Sequence, residues 1–283
     1  MPWPVKLRTI KVIGMPGPGP NTTQLIGIAY GILFILIGAF LWRTGRFSKK
    51  VKYVLLMVTV LIGFVTFSPM LPHNFQQLIL RSDTYVGFAL MGAAAGMSVF
   101  FLLTFLFGRQ FCGYLCPIGA VQELAYEAPT PKVRLPWKMG LSLIRGLVFI
   151  LILGAGLGFS LSVLSFFGIE DFFRLTFSLG SLVFLVLIAI SLFIYRPFCR
   201  LICPVAVIFQ LFATPARWKI RRTDACIECR KCEKVCPTNE AKRGDLKGEC
   251  YLCHRCIDKC PVEGALFYGK DEHSLGEAGK GPE

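Results

Sequence analysis

Two cysteine ladders near the C-terminus constrain this chain more than any other feature. The first is Cys226, Cys229, Cys232 and Cys236, closed by Pro237; the second is Cys250, Cys253, Cys256 and Cys260, closed by Pro261. Each reads C-x2-C-x2-C-x3-C-P, a spacing by which thiolates hold [4Fe–4S] clusters. Three thiolates separated by two residues each wrap one cubane from a tight loop. The fourth lies beyond a further turn and ligates the other cluster. The spacing therefore assigns Cys226, Cys229, Cys232 and Cys260 to cluster 1, and Cys236, Cys250, Cys253 and Cys256 to cluster 2. A four-thiolate shell also suits zinc, but a tandem register of eight cysteines favours two clusters.

The 12 cysteines of the 283 residues all fall into four spaced motifs that end in Cys-Pro. That pattern speaks for a reducing compartment and metal work, not for a disulfide framework. The chain is 54% hydrophobic and 17% charged, too apolar for an ordinary soluble globule. Its net charge of +14 sits in blocks between apolar runs. We read that charge as membrane orientation. No aromatic–basic platform for nucleic acid accompanies it.

Apolar runs cover about 24–42, 53–71, 86–107, 140–159 and 175–195, each close to the roughly 20 residues that cross a bilayer as a helix. The expected fold is therefore mainly α: a polytopic helical membrane protein with a small C-terminal α+β two-cluster domain. A four-helix core of two repeated hairpins follows one extra N-terminal helix. The expected boundaries are a tail at 1–23, the extra helix and its linker at 24–52, hairpin repeat 1 at 53–124 and a cytoplasmic linker at 125–139. Hairpin repeat 2 at 140–211, a linker at 212–222, the cluster domain at 223–268 and a mobile tail at 269–283 complete the chain. Lys and Arg concentrate after the first, third and fifth runs, which puts the cluster domain on the cytoplasmic side of a bacterial or archaeal inner membrane.

Two shorter motifs belong to an internal repeat. Arg109-Gln-Phe-Cys112-Gly-Tyr-Leu-Cys116-Pro117 aligns with Arg196-Pro-Phe-Cys199-Arg-Leu-Ile-Cys203-Pro204, each after a pair of apolar runs. Parallel repeats about an axis along the membrane normal make the two motifs partners on one face. Cysteines four apart share a helix face, and the following proline ends an undistorted helix. Cys112, Cys116, Cys199 and Cys203 are candidates for an extra redox or metal site: a third cluster, a soft-metal site or redox dithiols. Structural thiols at a helix end are the plain alternative.

The repeated R-x-F-C-x3-C-P motif, the apolar core and the trailing ladders together resemble the NapH-type membrane ferredoxins, membrane components of quinol dehydrogenases related to NosR-type and CcoG-type iron–sulfur proteins. The resemblance covers about 51–265. It implies quinol oxidation at the lipid bilayer and electron transfer from the quinone pool, through two [4Fe–4S] clusters, to another iron–sulfur or haem protein. The CcoG relation implies a second possibility, a membrane copper reductase or assembly factor, and soft thiolates do select Cu(I). A non-catalytic cluster-bearing anchor is the third.

A quinol site needs polar groups at the lipid edge. Candidates on the outer side are His73, Glu170, Asp171 and Arg174. On the inner side, nearer the clusters and therefore favoured, they are Arg109, Glu123, Glu127 and Arg196. No histidine lies inside an apolar run, which speaks against a bis-His membrane haem. Cys250-Tyr-Leu-Cys253-His254 spells a c-type haem signature, yet it sits inside a complete cluster register and reads as coincidence. No Walker or dinucleotide fingerprint is present.

Overall fold

The computed structural model describes residues 22–66, 71–80 and 88–270. The N-terminal tail as far as residue 21, most of the C-terminal tail and residues 81–87, between the second and third apolar runs and reaching into the third, lie outside the described residues.

Helices α1 (Thr22–Arg43), α2 (Lys49–Thr66), α3 (Leu71–Leu80) and α4 (Phe88–Phe107) lead to α5 (Pro117–Tyr126), α6 (Lys138–Phe159), α7 (Ile169–Phe173), α8 (Leu179–Ser191) and α9 (Val205–Ala213). Strand β1 (Lys219–Arg222), the short helices α10 (Lys231–Val235) and α11 (Arg255–Asp258) and strand β2 (Leu266–Gly269) form the C-terminal segment. The two strands pair antiparallel, Lys219 opposite Gly269 and Arg222 opposite Leu266, and so clasp the ends of the cluster-bearing loops.

The expected polytopic fold, with its four-helix core and extra N-terminal helix, is corrected here. Among the described residues one helix, α6, is long and apolar enough to cross a bilayer. Helix α2 opens on Lys49, Lys50 and Lys52, and Lys52 is buried in ion pairs rather than placed in a linker. Helix α8 has 13 residues, about 20 Å of rise against the roughly 30 Å of a hydrocarbon core. The described apolar stretches Gly27–Arg43 and Ala94–Phe107 are also short of that length. Hydropathy read 175–195 as continuous because it is blind to backbone. The run begins in a turn at Leu175 (φ 55°) and leaves the helix again over Leu192 to Tyr195, where Val133 N–H donates to Phe193 O at 2.9 Å. Residues 72–80, which fall between the second and third apolar runs, are helical.

Packing joins the helices to the C-terminal segment through one core. Phe100, Phe111, Phe198 and Phe209 are each no more than 1% exposed. Phe111 stacks on Phe209 with ring centroids 5.3 Å apart, linking the first motif to the helix after the second. The backbone of Trp218 donates to Leu106 O at 3.0 Å, and the Tyr268 hydroxyl donates to Phe107 O at 2.7 Å. Strands β1 and β2 are thereby tied to the end of α4.

Candidate functional site

The two short cysteine motifs adopt the same unusual conformation. Phe111–Leu115 and Phe198–Ile202 are single π-helical turns, closed by Cys116 N–H to Phe111 O and by Cys203 N–H to Phe198 O, both at 2.9 Å. Cys116 (ψ 118°) and Cys203 (ψ 114°) then turn extended, as a residue before proline prefers. Pro117 opens α5, where its missing N–H costs nothing. A π turn closes its hydrogen bond between residues i and i+5, and such turns are frequent at functional sites.

These turns face each other. Gln122, on the helix after the first turn, reaches the second: its Oε1 accepts from Phe198 N–H at 3.1 Å, and its Nε2 lies 3.6 Å from Cys199 Sγ. The Arg196 guanidinium donates to Gly113 O at 2.7 Å and to Cys112 O. Cys116, Cys199 and Cys203 are buried in the core, and Cys112 packs against it. The four thiols lie within electrostatic reach of one another. Burial pushes the Cys199 thiol up to about 11 against the pull of Arg196 and Arg109. Burial, reinforced by the neighbouring cysteines, also raises Cys116 and Cys203.

Above this layer sit the two ladders. Cys226, Cys229, Cys232 and Cys260 line one cavity together with Ile227, Pro261 and Val262. Cys236, Cys250, Cys253 and Cys256 line a second, walled by Tyr195 and Tyr251, and Cys232 borders both. Among the described residues no three cysteine, histidine or carboxylate groups close on a single-ion site. The thiols instead surround open space, and that donor set fits a multi-iron group better than one zinc ion. Positive φ at Glu228 and Arg230, and at Leu252 and His254, coils the loops so that the cysteines turn inward. His254 Nδ1 lies 2.8 Å from Asp258 Oδ1.

Charged residues bind the layers together. Glu123 contacts Arg196 at 3.0 Å and both Lys52 and Arg255 at 2.8 Å. Burial alone would raise the Glu123 carboxyl, but Arg255, Lys52 and Arg196 outweigh it and hold it well below the ordinary range. Glu127 pairs with Lys52 at 2.7 Å and with Arg255 at 2.6 Å. Arg145, inside the apolar run of α6, pairs with Glu249 at 2.6 Å. Arg109 donates to Gly248 O and Ala206 O, both at 3.3 Å, and lies 4.5 Å over the Tyr251 ring.

Arg109, Glu123 and Arg196, weighed from the sequence as quinone-site candidates, are thus at most 1% exposed and engaged between the layers. Glu170, Asp171 and Arg174 lie on and just after α7, with Arg174 and Glu170 paired at 3.0 Å. Sequence reading missed Arg145, Glu249, Arg255 and the tyrosines. Arg145 carried the one available signal, a lone charge in an apolar run.

A family model described as a 4Fe-4S binding domain matches the chain twice, over 89–136 and 177–223, once on each copy of the short motif. The uncharacterized protein MJ0750 of Methanocaldococcus jannaschii is 29% identical over 61% of this chain and 77% of its own length. YccM of Escherichia coli is 28% identical over 60% of this chain and 53% of its own. The regulatory protein NosR of Pseudomonas aeruginosa is 28% identical over 71% of this chain and 30% of its own. In these segments the chain is similar to NosR-like and ferredoxin-type 4Fe–4S proteins. It spans about half of YccM and under a third of NosR. No solved structure matches it. The twice-matched segments carry the π-turn cysteines, and the ladders add eight more thiols beside them.

Proposed function

We propose that the chain is a membrane-associated electron-transfer protein that oxidises quinol and passes the electrons through two [4Fe–4S] clusters to a partner iron–sulfur or haem protein. The observation that carries this reading is the stacking of two thiol layers. The cavity assigned to cluster 2 shares Tyr195 and Tyr251 with the side of the chain that holds the π-turn cysteines. YccM, provisionally named an electron transport protein, points the same way. Bound clusters would supply one-electron chemistry, while the chain's own thiols hold them and its arginines offset their negative charge. Arg109 and Arg196 belong to that charge balance.

Membrane contact is read from exposed apolar surface. Leu143, Leu147, Ile150, Leu151 and Leu157 on α6 are each more than half exposed, as are Leu179 and Leu182 on α8. Faces of that kind require lipid or a partner. The start of α6 is held instead by Lys138, which reaches Glu240 at 2.7 Å, and by Arg145, so this end faces the cluster segment. The excess of Lys and Arg around that segment favours the cytoplasmic side.

The test uses protein purified without oxygen in detergent. Iron and sulfide are counted, a reduced quinol analogue is added, and the clusters are followed by EPR. About eight irons per chain, reduced by quinol, support the reading. Intact clusters that ignore quinol overturn its first step.

The grouping of four buried thiols at Cys112, Cys116, Cys199 and Cys203 favours a second reading, a soft-metal or copper-reducing site of the CcoG type. Copper bound per chain, and cluster reoxidation that depends on added copper and on these four cysteines, separate it from the first.

A further inference from the structure

Tyr195 precedes Arg196 at the start of the second π-turn motif. It was one apolar residue among many in the sequence, yet it lies beside the cavity of a different segment. Its side chain is 2% exposed and borders the space surrounded by Cys236, Cys250, Cys253 and Cys256. Its hydroxyl is buried without a hydrogen-bond partner in the chain. The ring is held on several sides: Tyr126 edge-on at 5.0 Å, Tyr251 at 5.9 Å, and the guanidinium groups of Arg196 and Arg255 at 5.5 and 5.2 Å. A phenol so confined cannot swing out to water, and Cys253 lies within its electrostatic reach.

Other donors already aim at sulfur here. Glu240 N–H donates to Cys236 Sγ at 3.3 Å, and the Thr238 hydroxyl lies 3.5 Å from the same sulfur. In the neighbouring cavity the Arg222 guanidinium donates to Cys232 Sγ at 3.3 Å, but the rest of the wall is different. Apart from its thiols that cavity is bordered by Ile227, Arg230, Pro261, Val262, Ala265 and Leu266 and by no hydroxyl side chain. The two cavities have the same ligand type and unlike walls.

We propose that the Tyr195 hydroxyl donates a hydrogen bond to a sulfur of the cluster held by Cys236, Cys250, Cys253 and Cys256, and so raises that cluster's reduction potential above the value it would otherwise have. The proposal rests on the cluster assignment made under the proposed function. Reduction adds negative charge to a cluster, and a donor to its sulfur stabilises the reduced form more than the oxidised one. The chain thereby makes its two clusters unequal, with the tuned one beside the π-turn thiols.

The experiment is an EPR-monitored redox titration of the anaerobically purified full chain, with iron and sulfide counted on each sample. Tyr195→Phe removes only the oxygen. The expected result is one midpoint moved to lower potential, the other unmoved and iron content unchanged. Replacing Tyr195 by 3-fluorotyrosine strengthens the donor and keeps the ring, and the same midpoint is expected to move up. Should Tyr195→Phe lose iron, the fluorotyrosine protein decides alone. Midpoints unmoved by the substitution that retains its clusters, or both midpoints moving together, overturn the proposal. An equal shift in Tyr126→Phe, which packs on Tyr195 away from the cavity, also overturns it, because general repacking then accounts for the effect. A wild-type chain free of clusters defeats the assignment itself, which is a distinguishable failure.

Discussion

Arg196 Nε lies 3.0 Å from Glu123 Oε2, and both side chains are 1% exposed. This pair joins the second cysteine motif to the helix that follows the first. Because Glu123 also meets Lys52 and Arg255, one carboxylate fastens α2, α5, the second motif and the cluster segment at a single point. Removing its charge leaves Arg196 buried without a carboxylate and leaves Lys52 and Arg255 to share Glu127 alone. Glu123→Gln should therefore cost about 3–5 kcal/mol, the usual result of breaking a buried ion pair from one side. Glu170→Gln, at a pair more than two-fifths exposed on both partners, should cost no more than about 1 kcal/mol. Thermal unfolding of both variants in detergent compares them directly.

The same carboxylate sets a pH dependence with a definite sign. Its folded value lies well below the ordinary 4.5. A group depressed in this way contributes stability that is fully present above the unfolded value and is lost as pH falls through the folded one. Glu127 is depressed as well: burial raises it, and Arg255 and Lys52 more than reverse that. Wild-type stability should decline on acidification below about pH 4.5. The gap between wild type and Glu123→Gln should narrow over the same range. A gap that stays constant with pH would show that Glu123 acts by shape and not by charge.

Gly113 lies where two layers touch. A Cβ built there falls 2.5 Å from the backbone oxygen of Tyr251, closer than any real contact, and that oxygen belongs to the loop between Cys250 and Cys253. Gly113→Ala must therefore displace the loop that carries two assigned ligands. It should lower iron content, with the loss confined to one cluster's EPR signal. Gly146 on α6 has open space around its Cβ position, so Gly146→Ala should keep full iron content and gain up to about 1 kcal/mol from helix propensity.

How much of this was legible beforehand depends on the range of the interaction. The spacing within each motif is local, so the repeat of Cys112–Pro117 in Cys199–Pro204 and the break at each proline were readable as sequence. The π turn was not, because a C-x3-C-P string looks the same on an α-helical turn. Lys52 looked like a linker charge, and Arg145 was not singled out within its apolar run. Their partners, Glu123 and Glu249, are 71 and 104 residues away along the chain, and no periodicity encodes such a distance. The five-span count failed for a related reason. Hydropathy records composition in a window, whereas the ends of α8 are set by backbone turns and a bridge to Val133.

The cluster segment has little else to hold it. Between the ends of β1 and β2, its regular structure is two short helices of five and four residues, too short to be stable alone. Cys232, Tyr251, Leu252 and Ala265 are among its few well-buried apolar side chains. A segment that small cannot bury enough surface to fold on packing, so bound iron has to contribute the difference. Stripping iron with a chelator should therefore open residues 223–268 to protease while α4, the first π turn and α9 stay protected by their packed phenylalanines. Mass spectrometry of the fragments reads the outcome. Cleavage sites confined to the ladders would fit this division, and uncut ladders after full iron loss would mean that Arg145–Glu249 and Arg255–Glu123 hold the segment without the clusters.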